Sequence, residues 1–350
     1  MLLIENDLYQ EDISKIASLN YEWTKLKNKT FMISGATGMI GSFLIDVIMS
    51  RKDLNCKIIA LGRNEEKARK RFESYWDNNN FIFYKTDINE DEINLEQKVD
   101  YVIHLASNTH PKAYATDPIG TITANIMGTN NLLKFAASHN VERFIFASSV
   151  EIYGENRGDV DKFTEDYCGY INCNTMRAGY PEGKRAGEAL CQAYIKQKDM
   201  DIVIPRLART YGPTMLQSDS KAISQFIKNG VEGNDIVLKS EGTQFYSYTY
   251  VADAVSALIM CLLEGKCGEA YNIADSESDI SLRDLAGIIA DYAGKKVVFE
   301  LPDEVEKAGY SKATKAVMDS SKLQNAGWKA QYTMKKGLTR TVEILKTLGN

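Results

Sequence analysis

The chain has 350 residues, of which 44% are hydrophobic and 25% charged, and its net charge at pH 7 is −5. This composition is that of an ordinary globular protein, and the acidic balance argues against a broad nucleic-acid-binding surface. The apolar runs are too short to cross a bilayer and no signal peptide opens the chain, so we expect a cytoplasmic protein with no membrane contact. The six cysteines are scattered without a C-x-x-C pair, so we expect free thiols and no metal site.

Apolar strands alternate with helices along the first two thirds of the chain. A short helix at 12–17 comes first. Strands are predicted at 30–34, 57–61, 81–84, 101–106, 143–147 and 202–205, and helices at 42–49, 65–76, 121–138 and 176–196. Because the strands are apolar without alternation, we expect them to be buried on both faces of a parallel sheet.

A glycine-rich turn joins the first strand to the next helix, with the spacing G-x-x-G-x-x-G. Gly35 permits a tight turn, Gly38 lets the backbone approach a pyrophosphate, and Gly41 lets the helix pack closely on the strand. The helix N-terminus then offers free N–H groups to phosphates. The pattern predicts a dinucleotide-binding turn made of Gly35, Thr37, Gly38, Met39, Ile40 and Gly41.

The alternation and the turn together predict an α/β fold, namely a Rossmann-type doubly wound parallel sheet with a smaller C-terminal substrate-binding lobe. After residue 206 the pattern loosens into helices at 219–229, 281–293 and 336–348 and an isolated strand at 235–238. We expect an N-terminal extension at 1–28, a dinucleotide-binding domain at 29–205 and 243–275, and a substrate-binding lobe at 206–242 and 276–350.

Three residues form a candidate catalytic group. Ser149 follows the fifth strand, and Tyr180 and Lys184 lie four residues apart on one face of the next long helix. A nearby ammonium favours the phenolate and so lowers the pKa of a phenol. Tyr180 is therefore predicted to be an acid/base that moves a hydroxyl proton while hydride leaves the same carbon, with Ser149 bound to the same oxygen. The alternative is that Tyr180 and Lys184 only form a solvated helix face.

With these motifs the chain resembles the extended short-chain dehydrogenases/reductases of the NAD-dependent epimerase/dehydratase family. That family includes nucleotide-sugar epimerases, 4,6-dehydratases and UDP-glucuronate decarboxylases. The resemblance covers nearly everything after residue 28. It rests on the motifs at 35–41, 87–88, 104–107, 125–129, 148–154, 180–184, 206–213 and 248–253.

The resemblance implies that the substrate is a nucleotide-linked sugar, oxidised to a transient 4-keto sugar, and that the hydride is then returned. It also implies a tightly bound, internally recycled NAD or NADP and a homodimer formed through the two long helices. The catalytic residues would be Ser149, Tyr180 and Lys184, the last two also lining the cofactor. The remaining cofactor residues would be Asp87, Ile88, Leu105, Ala106 and Ser107, and Thr109 would touch the substrate.

Glu151 bears on which reaction follows the oxidation. A carboxylate beside a 4-ketone can abstract a proton that the ketone acidifies, or it can simply hold a hydroxyl or an amide. Where 4,6-dehydratases have an aspartate, this chain has Val150, which weakens the ordinary dehydratase assignment. The favoured function is a nucleotide-sugar epimerase/dehydratase. Alternatives are a UDP-glucuronate decarboxylase-like enzyme, an NADP-dependent carbonyl or sugar reductase that releases its cofactor, and a non-catalytic NAD(P)-binding regulator.

Two departures from the family pattern concern the substrate's phosphates. Tyr246 stands where the family usually has a diphosphate-binding arginine, and Arg209 stands where it usually has an asparagine. Our hypothesis is that the positive charge has moved from one wall of the pocket to the other, so that Arg209 binds the diphosphate. The alternative is that Arg209 serves a structural ion pair.

The cofactor preference is predicted from the end of the second strand. NAD enzymes usually carry an acid there, which holds the ribose hydroxyls. This chain has Arg63 and no acid. An arginine suits a 2′-phosphate, so NADP is mildly favoured over NAD.

Overall fold

The computed structural model describes residues 1–90, 92–109, 114, 116–300 and 314–349. In chain order the strands are β1 (Thr30–Ser34), β2 (Lys57–Gly62), β3 (Phe81–Lys85), β4 (Tyr101–His104), β5 (Arg143–Phe146), β6 (Ser148–Ser149), β7 (Ile202–Leu207), β8 (Arg209–Tyr211), β9 (Ile236–Leu238), β10 (Phe245–Tyr250), β11 (Ala270–Ile273), β12 (Asp279–Ser281), β13 (Val297–Phe299) and β14 (Lys315–Ala316). Half of these fourteen described strands, β1–β5, β7 and β9, follow the predicted apolar runs.

The predicted doubly wound parallel sheet is confirmed. Eight strands form the central sheet in the order β11-β7-β5-β4-β1-β2-β3, and β6 also pairs with β7. Every pairing in this sheet is parallel. The strand order changes direction between β1 and β4, and in such sheets ligands bind outside the carboxyl ends of the strands at that point.

The predicted helices are present, and two of them differ in extent from the prediction. The helix predicted at 65–76 is α-helical only over its first half. The helix predicted at 121–138 starts earlier, where the Asp117 carboxylate caps it by accepting from the Gly120 amide, and it passes through a π-helical segment at Ala124–Gly128. The α-helices are α1 (Asp7–Ala17), α2 (Met39–Ser50), α3 (Glu65–Arg71), α4 (Pro118–Thr123), α5 (Thr129–Ser138), α6 (Gly179–Lys198), α7 (Ala222–Glu232), α8 (Val251–Glu264), α9 (Leu282–Ala293), α10 (Ser321–Asn325) and α11 (Met334–Gly349).

Helix α8 and its two flanking strands are absent from the sequence prediction. Residues 251–263 of this helix are all buried. A helix that is buried all round is apolar all round, so it has no amphipathic period by which to recognise it. Strands β10 and β11 flank it, and β11 completes the edge of the central sheet.

Smaller sheets lie outside the central one. Strand β10 pairs with β8, β12 and β14, and the strand predicted as isolated, β9, pairs with β13. In the part of the chain that the structure describes, no helix combines the length and the apolarity needed to span a membrane. The predicted division into an extension, a domain and a lobe stays a prediction.

The N-terminal helix α1 is part of the core. It packs on α2 and α8. Buried Asp12 accepts hydrogen bonds from the Tyr250 hydroxyl at 2.5 Å, the Tyr332 hydroxyl at 2.6 Å and Arg340 Nε at 2.8 Å. One carboxylate on the predicted extension therefore joins β10 to the C-terminal segment.

Candidate active site

The glycine turn sits against the end of β4, as close packing requires. Gly35 adopts a left-handed φ of +68°, and a Cβ atom there would lie 2.7 Å from the Ala106 amide nitrogen. A Cβ at Gly41 would lie 2.5 Å from the Gly35 carbonyl oxygen. Gly38 forms the N-cap of α2, with no side chain in front of the free amides. The turn thus leaves backbone N–H groups at the carboxyl edge of the sheet.

A buried histidine holds the ends of β1 and β4 together behind this turn. His104 Nδ1 lies 2.7 Å from the Ser34 hydroxyl, and its Nε2 lies 3.0 Å from the Thr129 hydroxyl. The Ser34 hydroxyl also accepts from the Ala106 amide at 3.2 Å. Burial and the Lys184 charge hold the pKa of His104 well below its ordinary value, so this ring is neutral and structural.

The predicted adenine-side residues lie at the ends of β2 and β3. Exposed Arg63 and half-buried Asp87 form an ion pair, with 3.5 Å between Nη1 and Oδ2. Ile88 is buried, and its carbonyl accepts from the Asn131 side chain at 2.9 Å. No acidic residue follows β2, but Asp87, which follows β3, places a carboxylate beside Arg63.

The stretch after β4 continues the same edge. Leu105, Ala106 and Ser107 are half-buried, and the Ser107 hydroxyl donates to Asn125 Oδ1 at 2.9 Å. Thr109 is exposed at the end of this stretch. The structure therefore brings Leu105 and Ala106 to the glycine turn, places Ser107 against Asn125, and leaves Thr109 on the surface.

The candidate catalytic group is assembled at the end of β6. The Ser149 side chain lies beside the Tyr180 hydroxyl and acts to lower its pKa. The Lys184 ammonium donates to the Ala147 carbonyl oxygen at 2.7 Å, and burial lowers its pKa to about 8. We expected Lys184 to lower the pKa of Tyr180, and this expectation is not met in the protein by itself. Burial raises the pKa of Tyr180 to about 12, with the Ser149 side chain acting against it.

Glu151 lies between two arginines. It sits in a 3₁₀ turn, Val150–Tyr153, that begins directly after Ser149. Arg177 Nη2 donates to its Oε2 at 3.1 Å, and Arg209 Nη2 lies 3.6 Å from its Oε1. The structural ion pair considered for Arg209 is therefore present, and its partner is the candidate second base.

Arg209 also covers the residue that replaces the family's arginine. Strands β8 and β10 run side by side, with Arg209 in register with Tyr248. The Arg209 Cζ lies 3.7 Å from the centre of the Tyr246 ring, and Tyr246 itself is buried. A positive charge thus stands directly over position 246.

Two further residues of the site, Arg177 and Tyr114, were not identified from the sequence. Arg177 lies 4.5 Å from the centre of the Tyr114 ring, which in turn packs on the Tyr180 ring with 5.2 Å between centroids. One signal for Arg177 was available in the sequence, because it lies three residues before Tyr180, just ahead of helix α6. No comparable signal pointed to Tyr114. His110 and Pro111, which we expected in a loop over this edge, lie outside the described residues.

This architecture is that of an extended short-chain dehydrogenase/reductase. It combines a doubly wound parallel sheet, a glycine turn where the strand order changes direction, and a Ser149–Tyr180–Lys184 group at the same edge. The model of the NAD dependent epimerase/dehydratase family matches residues 31–274, and the chain belongs to this family.

Several relatives with assigned activities are decarboxylases. UDP-glucuronic acid decarboxylase 1 of Xenopus tropicalis is 29% identical over 319 residues, which cover 91% of this chain and 72% of that protein. UDP-glucuronic acid decarboxylase 3 of Arabidopsis thaliana is 29% identical over 317 residues, covering 89% of this chain and 87% of the relative. These relatives are enzymes that act on a nucleotide sugar.

Solved structures share the fold. UDP-glucuronic acid 4-epimerase from Bacillus cereus, in complex with UDP-glucuronic acid and NAD, superposes with a TM-score of 0.78 at 23% identity, covering 91% of this chain and 99% of that one. The dTDP-glucose 4,6-dehydratase from Bacillus anthracis, in complex with NAD, gives a TM-score of 0.76 at 22% identity, covering 91% and 97%.

Proposed function

We propose that the protein converts a nucleotide-linked sugar through a transient 4-keto intermediate, with an internally recycled nicotinamide dinucleotide. The observation that carries the proposal is the group formed by Ser149 and Tyr180, whose side chains interact, with buried Lys184 four residues after Tyr180 on the same helix. Both hydroxyls lie at the sheet edge that carries the glycine turn, so proton transfer and hydride transfer are served by the same crevice.

The described residues fit a bound dinucleotide. The backbone of the Gly35 turn and the free amides of α2 suit a pyrophosphate, because a side chain at Gly35 would collide with Ala106. When bound, the dinucleotide supplies a hydride acceptor and later a hydride donor. Arg63 favours NADP, and Asp87 at 3.5 Å offsets part of that charge, so we propose only a small preference for NADP.

The chain's own groups then have separate tasks. In its ionised form Tyr180 accepts the proton of the sugar's C4 hydroxyl, and the Ser149 hydroxyl stays bound to the same oxygen. Lys184, already poorly solvated, stabilises the phenolate by its charge, and it can keep its hydrogen bond to the Ala147 carbonyl because an ammonium has three donors. Arg209, over Tyr246, is proposed to bind the substrate's diphosphate, and exposed Thr109 to contact the sugar.

A second candidate function is decarboxylation. Glu151 follows Ser149 closely and is held by two arginines, and the curated relatives are decarboxylases. A carboxylate on C5 of a 4-keto sugar is β to the ketone, so carbon dioxide leaves as its bonding electrons pass to the C4 oxygen. Ser149 and Tyr180 would stabilise that oxyanion, and the enolate would then take up a proton at C5.

The first test is to incubate the purified protein with a panel of nucleotide sugars, without added cofactor, and to read product masses. Loss of water, loss of carbon dioxide or an isomer of unchanged mass supports the proposal and names the reaction. Turnover only when NAD(P) is supplied indicates a net reductase or dehydrogenase and overturns it. Binding of NAD(P) with no turnover of any sugar supports the regulator alternative.

We also propose that the chain forms a homodimer through α6 and the helical segment at 118–138. The support is that Ile119, in this segment, and Met176, in the turn just before α6, are 75% and 72% exposed although they are apolar. Sedimentation equilibrium at several concentrations tests this, with a monomer at every concentration as the contrary result.

A further inference from the structure

Arg177 has so far been described only as a partner of Glu151, yet it has the geometry of an anion-binding residue. Its Nη2 is used by Glu151, and its guanidinium is mostly buried against Tyr114. Among the residues that the structure describes, Nε and Nη1 of Arg177 are buried without a hydrogen-bond partner. Buried donors in native proteins are normally paired, so these two indicate a ligand acceptor.

The charges around Arg177 also indicate a negatively charged ligand. Arg177 and Arg209 contact the two oxygens of one carboxylate, so the cluster of Arg177, Glu151 and Arg209 carries one excess positive charge. The Asp219 carboxylate near Tyr114 is already paired with Lys221 at 3.1 Å. A partly buried charge without a counterion is unfavourable, and a negative group on a ligand would balance it.

The position of Arg177 says which part of the ligand it meets. Its guanidinium lies on Tyr114, whose ring packs on the ring of the candidate acid/base Tyr180. Arg209 approaches Glu151 from the other side, from β8 and over Tyr246. The two arginines therefore face different ends of a substrate, Arg177 the reacting end of the sugar and Arg209 the end proposed to carry the diphosphate.

We propose that Arg177 selects sugars that carry a carboxylate next to the reacting carbon, so that the substrate is a nucleotide-linked uronic acid. This inference rests on the proposed function and narrows its substrate class. Arg177 donates to the sugar carboxylate while Nη2 keeps its bond to Glu151. The expected cost of removing these charge-assisted hydrogen bonds is roughly 10- to 100-fold in affinity for the acidic sugar.

The test compares sugars that share a nucleotide and differ only at C6, namely UDP-glucuronic acid with UDP-glucose and the corresponding dTDP pair. Affinities are measured by calorimetry and KM and kcat by product mass. The wild-type protein should prefer the acidic member. Arg177→Gln should raise Kd and KM much more for the acidic sugar than for the neutral sugar, because any effect through Glu151 is common to both, and Arg177→Lys should recover part of the loss. Arg209→Gln is the matched control, because it should weaken both sugars equally.

Three outcomes are informative in different ways. Equal losses for both sugars in Arg177→Gln would overturn the inference and leave Arg177 as a residue that positions Glu151. A wild-type preference for the neutral sugar would also overturn it while leaving the 4-keto chemistry intact. If no sugar of either kind binds or reacts, the proposed function itself fails, and this inference fails with it. Circular dichroism of each variant separates these outcomes from misfolding.

Discussion

Arg209 Cζ stands 3.7 Å above the centre of the Tyr246 ring. The two residues come from neighbouring strands, β8 and β10, whose register pairs Arg209 with Tyr248, two residues along β10 from Tyr246. The family's usual arrangement has an arginine at position 246 and an asparagine at position 209, whereas this chain has the charge on the other strand. Because the two positions touch, the exchange leaves a guanidinium at almost the same place in the pocket.

This contact makes the position of the charge testable. Arg209→Asn should weaken UDP binding by roughly 10- to 100-fold, because a charge-assisted contact with the diphosphate is lost. The double variant with Tyr246→Arg should recover most of the affinity, since it restores a guanidinium from the neighbouring strand. Calorimetric titration with UDP measures both. An unchanged affinity in Arg209→Asn would show that Arg209 serves only its ion pair with Glu151.

The interaction of Ser149 with Tyr180 gives a second expectation. Tyr180→Phe should lower kcat by roughly 10²- to 10⁴-fold, because no group is left to move the C4 proton. Ser149→Ala should have a smaller effect, since it removes only one hydrogen bond to the reacting oxygen. Initial rates of product formation at saturating substrate measure both, and UDP affinity serves as the control. Near-normal turnover in Tyr180→Phe would remove Tyr180 from the mechanism.

Local features of the site could be predicted from the sequence, whereas contacts between distant segments could not. The turn at Gly35 follows from sterics over seven residues, and the Tyr180–Lys184 pair from helical spacing. The contact of Arg177 with Glu151 joins residues 26 apart in the chain, so no local pattern indicates it. The pKa of Tyr180 was expected to be low from its neighbour and is high because of burial, which is a property of the whole fold.

The Arg63–Asp87 pair determines the expected cofactor preference. Asp87→Asn should raise the affinity for NADP relative to NAD by several-fold, because it removes the carboxylate that offsets the Arg63 charge. Arg63→Ala should shift the preference toward NAD by a similar factor, which stays small because exposed charges are screened. Competition between the two dinucleotides in calorimetry gives the ratio. A clear NAD preference in the wild type would contradict the assignment of Arg63 to a 2′-phosphate.

The two glycines Gly35 and Gly38 should differ in how much they contribute to stability. Gly35→Ala places a methyl group 2.7 Å from a backbone nitrogen at a φ of +68°, so it should destabilise the fold by about 1–3 kcal/mol. Gly38→Ala meets only the Gly35 carbonyl oxygen at 3.0 Å, and its φ is −78°, so its effect on unfolding should be smaller. Urea unfolding of the two variants measures the difference. Equal destabilisation would mean that the close approach to β4 is not what requires glycine at position 35.

A buried carboxyl group behind the site predicts a pH-dependent stability. Asp253 is 1% exposed, and burial raises its pKa from an ordinary value of 3.8 to about 7, although its oxygens accept from the Gln331 and Tyr332 amides. Between about pH 4 and pH 7 the folded state therefore holds a proton that the unfolded state has released. The contribution of Asp253 to stability is full below this window and is lost as the pH rises through it.

The pH dependence of unfolding tests this assignment against a matched variant. Asp253→Asn cannot titrate, so its free energy of unfolding, measured in urea at pH 5 and pH 8, should gain relative to wild type by up to about 3 kcal/mol as the pH rises. Asp100→Asn is the control and should show no such gain, because hydrogen bonds from Lys98 and the Thr30 amide lower the pKa of Asp100 despite its burial, so this carboxylate is ionised in the folded and unfolded states at both pH values. Parallel pH curves for Asp253→Asn and wild type would show that Asp253 is ionised in the folded protein throughout.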